Sequence, residues 1–237
     1  MSLETDNVIV ERQRIRDEYR RRKSDVDSSL YGWWQPDVLF SCNERRRIAA
    51  RMLHEADALP RAGQRCLEVG CGSLGWLGEL TGWAVPEKEL CGIDLDPLRI
   101  DDVRRVLPSA DLRIGDATQL PWPDQSFRLV IASTVFTSVL DDGVRSLIAN
   151  EIMRVMQPGG ALLWYDFAVD NPRNPNVRRV THRELRSLFS PLTGCVRTVT
   201  LAPPIARFVT PKSWLLATFL EAIPFLRTHL IAVLTKL

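Results

Sequence analysis

The stretch Leu67-Glu68-Val69-Gly70-Cys71-Gly72-Ser73-Leu74-Gly75 decides the fold. An apolar run ends in an acid, and three glycines follow with the spacing G-x-G-x-x-G. Trp76-Leu77-Gly78-Glu79-Leu80 then continues the chain. The order reads as strand, tight turn, helix. Glycine is needed where a backbone turns sharply or approaches a ligand with no Cβ in the way. A helix that opens straight after such a turn offers free backbone N–H groups to an anionic group. The stretch therefore reads as a place where a nucleotide-like cofactor is held. The glycine spacing alone does not say which one.

Downstream, Leu90-Cys91-Gly92-Ile93-Asp94 is a second strand ending in an acid. Asp94 stands where a carboxylate that holds ribose hydroxyls is expected. It could instead cap a helix, but Asp96-Pro97 is the better helix start, which leaves Asp94 for the ribose. Leu112-Arg113-Ile114-Gly115-Asp116-Ala117 is a third strand ending in an acid, and Leu120 to Ser126 is a turn-rich loop. Phe127 to Ala132 is apolar except for Arg128 and suits a strand buried on both faces of a parallel sheet. Asp142 is the expected cap of a helix over 143–156, which Pro158-Gly159-Gly160 ends. Ala161 to Phe167 is the fifth strand. A polar loop, 166–179, holds Asn171, Arg173 and Asn174. Thr181-His182-Arg183-Glu184 is a capping box. A sixth strand (195–202), an apolar insert (203–226) with a helix near 213–222, and a last strand (230–234) complete the chain.

Strands alternating with helices predict a parallel sheet covered on both faces, with ligands at the carboxyl ends of its strands. Glu68, Asp94 and Asp116 fall at or near those ends on consecutive strands. They point to one extended, polar, cationic or hydroxyl-rich ligand.

Ahead of this core, 8–23 is a charged helix with a thin apolar stripe. It reads as a solvated face or as a lid with Tyr19 turned inward. The aromatic loop Tyr31-Gly32-Trp33-Trp34 should pack on the core or line a cleft. Asn43 is the expected cap of a helix running to about Ala58, whose His54 reads as a surface or packing residue.

The 237 residues suffice for one α/β domain with a sizeable core. A net charge of +2 demands no polyanionic partner, and the arginines are interleaved with acids. Five cysteines and three histidines form no metal-ligand grouping, so no metal is expected. Cys66 and Cys91 sit in apolar runs and read as buried thiols. With no signal-like or membrane-spanning run, the expected compartment is the cytoplasm.

The segment 64–168 resembles the class I S-adenosylmethionine (SAM)-dependent methyltransferases, of the UbiE-like type. The likeness rests on Leu67 to Gly72, Gly92-Ile93-Asp94, Gly115-Asp116-Ala117 with Leu120-Pro121-Trp122-Pro123-Asp124 and Ser126-Phe127, and Glu151 to Gly160. Arg128 stands where that family usually has Asp. The resemblance implies a three-layer Rossmann-like α/β sandwich with a seven-stranded sheet in the order 3-2-1-4-5-7-6, the last strand antiparallel. It implies SAM as cofactor, S-adenosyl-L-homocysteine as product, and roles for named residues. Gly70, Cys71 and Gly72 would approach the methionine part, and Glu68 would orient the turn and the amino group. Asp94 with Leu95 would take the ribose, Asp116 and Ala117 the adenine, and Ser133 would lie near the methyl group. Trp164-Tyr165-Asp166-Phe167, Asn171 to Arg178, Leu201 to Pro204 and Arg227-Thr228-His229 resemble a bacterial subgroup of glycan and natural-product biosynthesis.

The division expected is a single domain, 1–237: a helical cap or lid (1–60), a SAM-binding core (61–202) and the apolar insert (203–226). The expected acceptor is a small molecule methylated at oxygen. An alcohol needs a base as its proton leaves, whereas a phenolate or carboxylate needs little help. His182, at a helix start near the ligand edge, is the leading base candidate, since that position disfavours the imidazolium. A plain polar residue in a first helical turn is the competing reading. His229, Tyr165 and Asp166 follow. Trp33, Trp34, Asp141, Asn171, Arg173 and Asn174 are candidates to contact the acceptor. The insert reads as a cover for the sheet or a dimer face, so monomer or homodimer is expected. It is also a candidate for contact with a membrane surface, a partner or a lipid-linked substrate.

A nicotinamide dehydrogenase would share the glycine turn and the acid after the second strand, but over sixty residues precede the turn here and the Gly-Asp-Ala block is foreign to it. Ala132-Ser133-Thr134-Val135 lacks the Asn/Asp-Pro-Pro-aromatic motif and the cysteine of nucleic-acid base methylation. An RNA or nucleotide methyltransferase and a non-catalytic SAM-binding protein remain the alternatives.

Overall fold

The computed structural model describes residues 2–25, 29, 32–72, 74–172 and 174–237. Tyr31, Ser73 and Arg173 lie outside the described residues. Seven strands, β1 (Cys66–Val69), β2 (Leu90–Asp94), β3 (Asp111–Ile114), β4 (Phe127–Ser133), β5 (Met156–Phe167), β6 (Thr193–Leu201) and β7 (Arg227–Thr235), make one sheet. Their order is β3-β2-β1-β4-β5-β7-β6. The first five run parallel, and β7 is antiparallel to both β5 and β6. This is the fold class expected from the sequence.

Eight α-helices are found among the described residues: α1 (Ser2–Asp25), α2 (Pro36–Glu55), α3 (Gly75–Gly82), α4 (Pro97–Val106), α5 (Asp142–Val155), α6 (His182–Leu188), α7 (Pro203–Val209) and α8 (Trp214–Ala222). Because side chains alternate along a strand, the sheet has two apolar faces. Leu67, Val69, Ile93, Val130 and Trp164 pack with Ile15 of α1, Ile148 and Ile152 of α5, and Leu185 of α6. Leu129, Ile131, Leu163 and Val233 pack on the other face with Met52 and Leu53 of α2, Leu77 and Leu80 of α3, and Ile100 of α4. Residues β1 and β2 are buried throughout, which is why they read as unbroken apolar runs.

Val69 is level with Ile93 on β2 and Ala132 on β4, and Asp94 is level with Ile114. Glu68, Asp94 and Asp116 therefore gather at one edge of the sheet. The chain leaves β1 for β2 on one side and later crosses from β3 to β4 on the other, so the connections diverge and open a crevice at the carboxyl ends of β1 and β4.

Several boundaries differ from expectation. Asn43 does not cap α2. That helix starts at Pro36, whose preset φ suits a first turn, behind the extended Gln35. Asp141, not Asp142, caps α5, accepting from Val144 N at 2.9 Å. Pro158-Gly159-Gly160 does not close a helix but lies within β5, where the pairing with β4 shifts register between Phe127 and Leu129. A Cβ on Gly160 would stand 3.0 Å from Phe127 O, so the irregularity requires glycine. The first strand begins only at Cys66, since Gln64 N closes a turn on Arg61 O. The last strand is longer than 230–234, extended by pairing with β6. The insert forms two helices, α7 and α8. Arg128 bridges the carbonyls of Gly159 and Asp57.

Phe136 is fully buried just after β4, edge-on to Phe189 at 5.6 Å and beside Trp164. Phe136→Ala is expected to cost about 3–5 kcal/mol, measured as a lowered urea midpoint.

Candidate functional site

The turn after β1 is shaped by two collisions that glycine avoids. Gly70 has φ 68°, and a Cβ there would meet Val135 Cγ2 at 2.8 Å. Gly75 has φ 34°, and a Cβ there would lie 2.4 Å from Glu68 Oε1. Between them, Gly70 N and Cys71 N donate to Ile93 O at 2.8 and 3.1 Å, which ties the turn to β2.

The three strand-end acids have distinct partners. Glu68 is buried under the first turn of α3 and accepts from Leu77 N at 3.0 Å. Burial pushes its pKa up to about 8, against the pull of the Trp76 and Leu77 amides. Asp94 accepts from Gly72 N and Asp96 N, both at 2.9 Å. Asp96 itself caps α4 through Leu98 N, as its sequence context predicts. Asp116 accepts from Thr118 N at 2.9 Å and faces Arg12 at 4.0 Å.

These groups surround one cavity of about 330 Å³, within the range of small-ligand sites. All ten residues proposed from sequence for the cofactor line it: Tyr19, Glu68, Gly70, Cys71, Gly72, Asp94, Leu95, Asp116, Ala117 and Ser133. Helix α1 forms its roof with Val8, Glu11, Arg12, Ile15 and Tyr19. Glu11 anchors that roof. It chelates Arg14 and accepts from Leu140 N, while Arg14 also donates to Ser138 O. Burial works against the Glu11 carboxylate, but Arg14 and the Leu140 amide hold its pKa below the usual value. Arg99 lies over the Tyr19 ring at 4.3 Å. Val135, Val139, Val144 and Ile148 supply an apolar wall.

Arg45 is a lining residue that the sequence reading missed. Its guanidinium sits 5.1 Å from the ring centres of both Trp76 and Tyr165. Its Nε is buried with no hydrogen-bond partner among the described residues. Arg45 lies in the basic run Arg45-Arg46-Arg47 of α2, and only the fold turns it, of the three, into the cavity.

The four base candidates are elsewhere. His182 is exposed at the start of α6 and does not line the cavity. Thr181 caps that helix through Glu184 N, while the Glu184 carboxylate accepts from Arg145 and Arg178, and His182 faces solvent. His229 is buried and stacks on Tyr165 at 4.8 Å, and burial, then Arg45, push its pKa down to about 3. Tyr165 bonds Thr200 Oγ1 at 2.9 Å, and burial pushes its pKa up to about 12. Asp166 is spent on Thr137, taking its amide at 3.0 Å and its hydroxyl, and on Phe167 N. Burial raises its pKa to about 7.

The acceptor-contact candidates among the described residues, Trp33, Trp34, Asp141, Asn171 and Asn174, are likewise outside the cavity lining. Trp33 and Trp34 neither pack on the core nor line the cleft. They are exposed ahead of α2 and meet edge to face at 6.1 Å. Asp141 is committed to capping α5. Asn174 accepts from Asn176 N at 3.0 Å, and Asn171 O accepts from Asn174 N, so both shape the 166–179 loop.

The methyltransferase domain family matches residues 66–160. A probable S-adenosylmethionine-dependent methyltransferase of Mycolicibacterium smegmatis is 31% identical over 54% of this chain and 51% of its own. The phthiotriol/phenolphthiotriol dimycocerosates methyltransferase of Mycobacterium leprae is 29% identical over 63% of this chain and 58% of its own. The chain thus spans about half the length of the relatives it matches. Among solved structures, the geranyl diphosphate C-methyltransferase of Streptomyces coelicolor A3(2) shares the fold with a TM-score of 0.60, at 15% identity, over 81% of this chain and 77% of that one. The sheet order and the strand-end cavity define a Rossmann-like α/β architecture. Residues 66–160 match the methyltransferase domain family, and the chain is similar to S-adenosylmethionine-dependent methyltransferases.

Glu68 yields a pH prediction. Its folded pKa, about 8, lies above its ordinary value of 4.5. The folded state therefore holds the proton longer, and this group's contribution to stability is lost as pH rises between those values. Glu68→Gln should flatten the fall in stability over that window, read from denaturation midpoints across pH. A second outcome concerns the turn: Gly75→Ala should impair ligand binding more than Gly72→Ala, where a Cβ meets nothing closer than 3.8 Å.

Proposed function

We propose that this chain transfers a methyl group from SAM to oxygen of an acidic small molecule with an apolar body. The observation that carries the reading is the convergence of Glu68, Asp94 and Asp116 with the glycine turn on one cavity. The residues present suit the cofactor. The backbone between Gly70 and Gly72 leaves the cradle that a Cβ at Gly70 would fill. Asp94 retains lone pairs toward the cavity for a ribose diol, and Asp116 with Ala117 flanks the place for adenine. The unpartnered Arg45 Nε suits the carboxylate of the methionine part. Bound SAM supplies an electrophilic methyl group on a sulfonium.

The chain's own contribution is then alignment and the exclusion of water. Helix α1 acts as the lid of the cap region 1–60, and its Tyr19 and Ile15 cover the site. Among the described lining residues there is no imidazole and no amine. The Cys71 thiol, held protonated by burial, is no base either. This favours an acceptor whose own oxygen is ionised at working pH, such as a carboxylic acid or a phenol or enol acidified by electron-withdrawing substituents. The apolar wall from Val135 to Ile148 suits its hydrocarbon body. The relatives' printed names, which include a phthiotriol/phenolphthiotriol dimycocerosates methyltransferase and a demethylmenaquinone methyltransferase, support a small-molecule acceptor.

Labelled SAM incubated with the purified chain and fractionated extract tests the reading, with label expected in acidic, apolar small molecules. Label in RNA, or none in any fraction, would refute it. Asp94→Ala should weaken SAM binding by roughly ten- to a hundredfold in calorimetry. His182→Ala should turn over as the parent does.

A further inference from the structure

Helices α7 and α8 rest on the start of α2 through a small core of their own: Phe40, Leu201, Ala206, Val209 and Ala217, with Trp214 edge-on to Phe40 at 5.6 Å. The opposite side of this layer is apolar and open. Phe208, Leu215, Leu216, Phe219 and Phe225 are all exposed, Leu215 by 69%, Phe219 by 64% and Phe225 by 84%. Scattered exposed apolar residues need no explanation, but a contiguous set on two consecutive helices marks an interaction face.

Charge selects the partner. Within 203–226 the only acid is Glu221, and it is buried. Its cations point outward. Lys212 Nζ lies 3.5 Å from the centre of the Phe208 ring, and Arg207 meets Asp37 at 3.5 Å while staying half exposed. Arg47, also exposed, flanks α8 from α2. The neighbouring acids Asp37 and Glu44 are each engaged by an arginine. Trp33 and Trp34 project from the loop that enters α2 beside Asp37. Aromatic and aliphatic side chains rimmed by three cations, Arg47, Arg207 and Lys212, against two acids, Asp37 and Glu44, suit the headgroup and upper acyl region of an anionic bilayer. An isologous contact with a second copy would instead bring these like charges together. No helix among the described residues is long and apolar enough to cross a membrane, so contact would be superficial.

We propose that α7, α8 and the Trp33–Trp34 loop form a docking surface for a lipid bilayer that contains anionic lipids. Helix α2 joins this surface to the cavity. Arg45 stands five residues beyond Phe40, about 7–8 Å along the helix. The proposal stands apart from methyl transfer, and its test contains neither cofactor nor acceptor.

The full chain is sedimented with phosphatidylcholine vesicles, with and without phosphatidylglycerol. Pelleting with the anionic vesicles, weakened by salt, is expected. Leu215→Ser/Phe219→Ser should lower partitioning by about tenfold or more while leaving the thermal unfolding curve in place. Lys212→Glu should lower it on anionic vesicles by about fivefold. Failure of the parent chain to pellet, equal pelleting on phosphatidylcholine alone, or pelleting untouched by the double substitution would overturn the proposal. So would a solution dimer that the double substitution splits, which would assign the face to a second copy.

Discussion

The Glu68 carboxylate, buried under the first turn of α3, is the constraint on which the site depends. An unpaired buried carboxylate is costly, and this one is satisfied by the Leu77 and Trp76 amides at the positive end of a helix. That contact fixes where α3 starts relative to β1. It also forbids a side chain at residue 75, because a Cβ would strike the carboxylate. At the other end of the turn, Val135 forbids one at residue 70. The spacing of the first and last glycines is thus set by two separate contacts, one with β1 and one with the segment leaving β4. Gly72 N on Asp94 adds the link to β2. One short turn is held by β1, β2 and the segment leaving β4 at once, so Glu68 and Asp94 keep their places around the cavity.

The polar residues at the end of β5 serve the site indirectly. Tyr165 and Asp166 are adjacent and so face opposite sides of the sheet. Tyr165 lies against His229 and supports Arg45 from below. Asp166 grips Thr137 through amide and hydroxyl, holding the segment whose Val135, Ser138 and Val139 line the cavity. Both belong to the framework that positions lining residues. Their perturbed pKa values follow from burial in that framework.

What could be read from the sequence was local or periodic. The succession of strands and helices, the acid after each of three strands, the Asp96 cap and the Thr181 cap all follow from patterns within a few residues, whereas the order of strands in the sheet followed from the family resemblance. What escaped depends on contacts distant in sequence. A capping box says where α6 begins but not which way His182 points. Nothing local separates Arg45 from Arg46 and Arg47, yet only Arg45 stacks between Trp76 and Tyr165, from β5 and α3. The start of α2 was misplaced because Asn43 is a good cap by type, whereas Pro36 opens the helix two turns earlier and leaves Asn43 beside Arg46 on the surface.

Helix α1 shows why two readings of one segment need not compete. As a charge run it suggested a solvated face, and as an apolar stripe a lid. Along the helix, Glu11–Arg14, Asp17–Arg20 and Glu18–Arg21 pair at one-turn spacing, so three of the six arginines of α1 are balanced within the helix itself. That pairing, with Arg12 facing Asp116, offsets much of the positive charge of the segment. The inward stripe of Val8, Ile15 and Tyr19 recurs at helical spacing and closes the cavity. The two faces meet at residues 11 and 12. Glu11 fixes the helix to the segment that leaves β4, and Arg12 reaches Asp116 at the end of β3. A ligand that engages Asp116 must therefore compete with Arg12, which couples filling of the cavity to the seating of its roof.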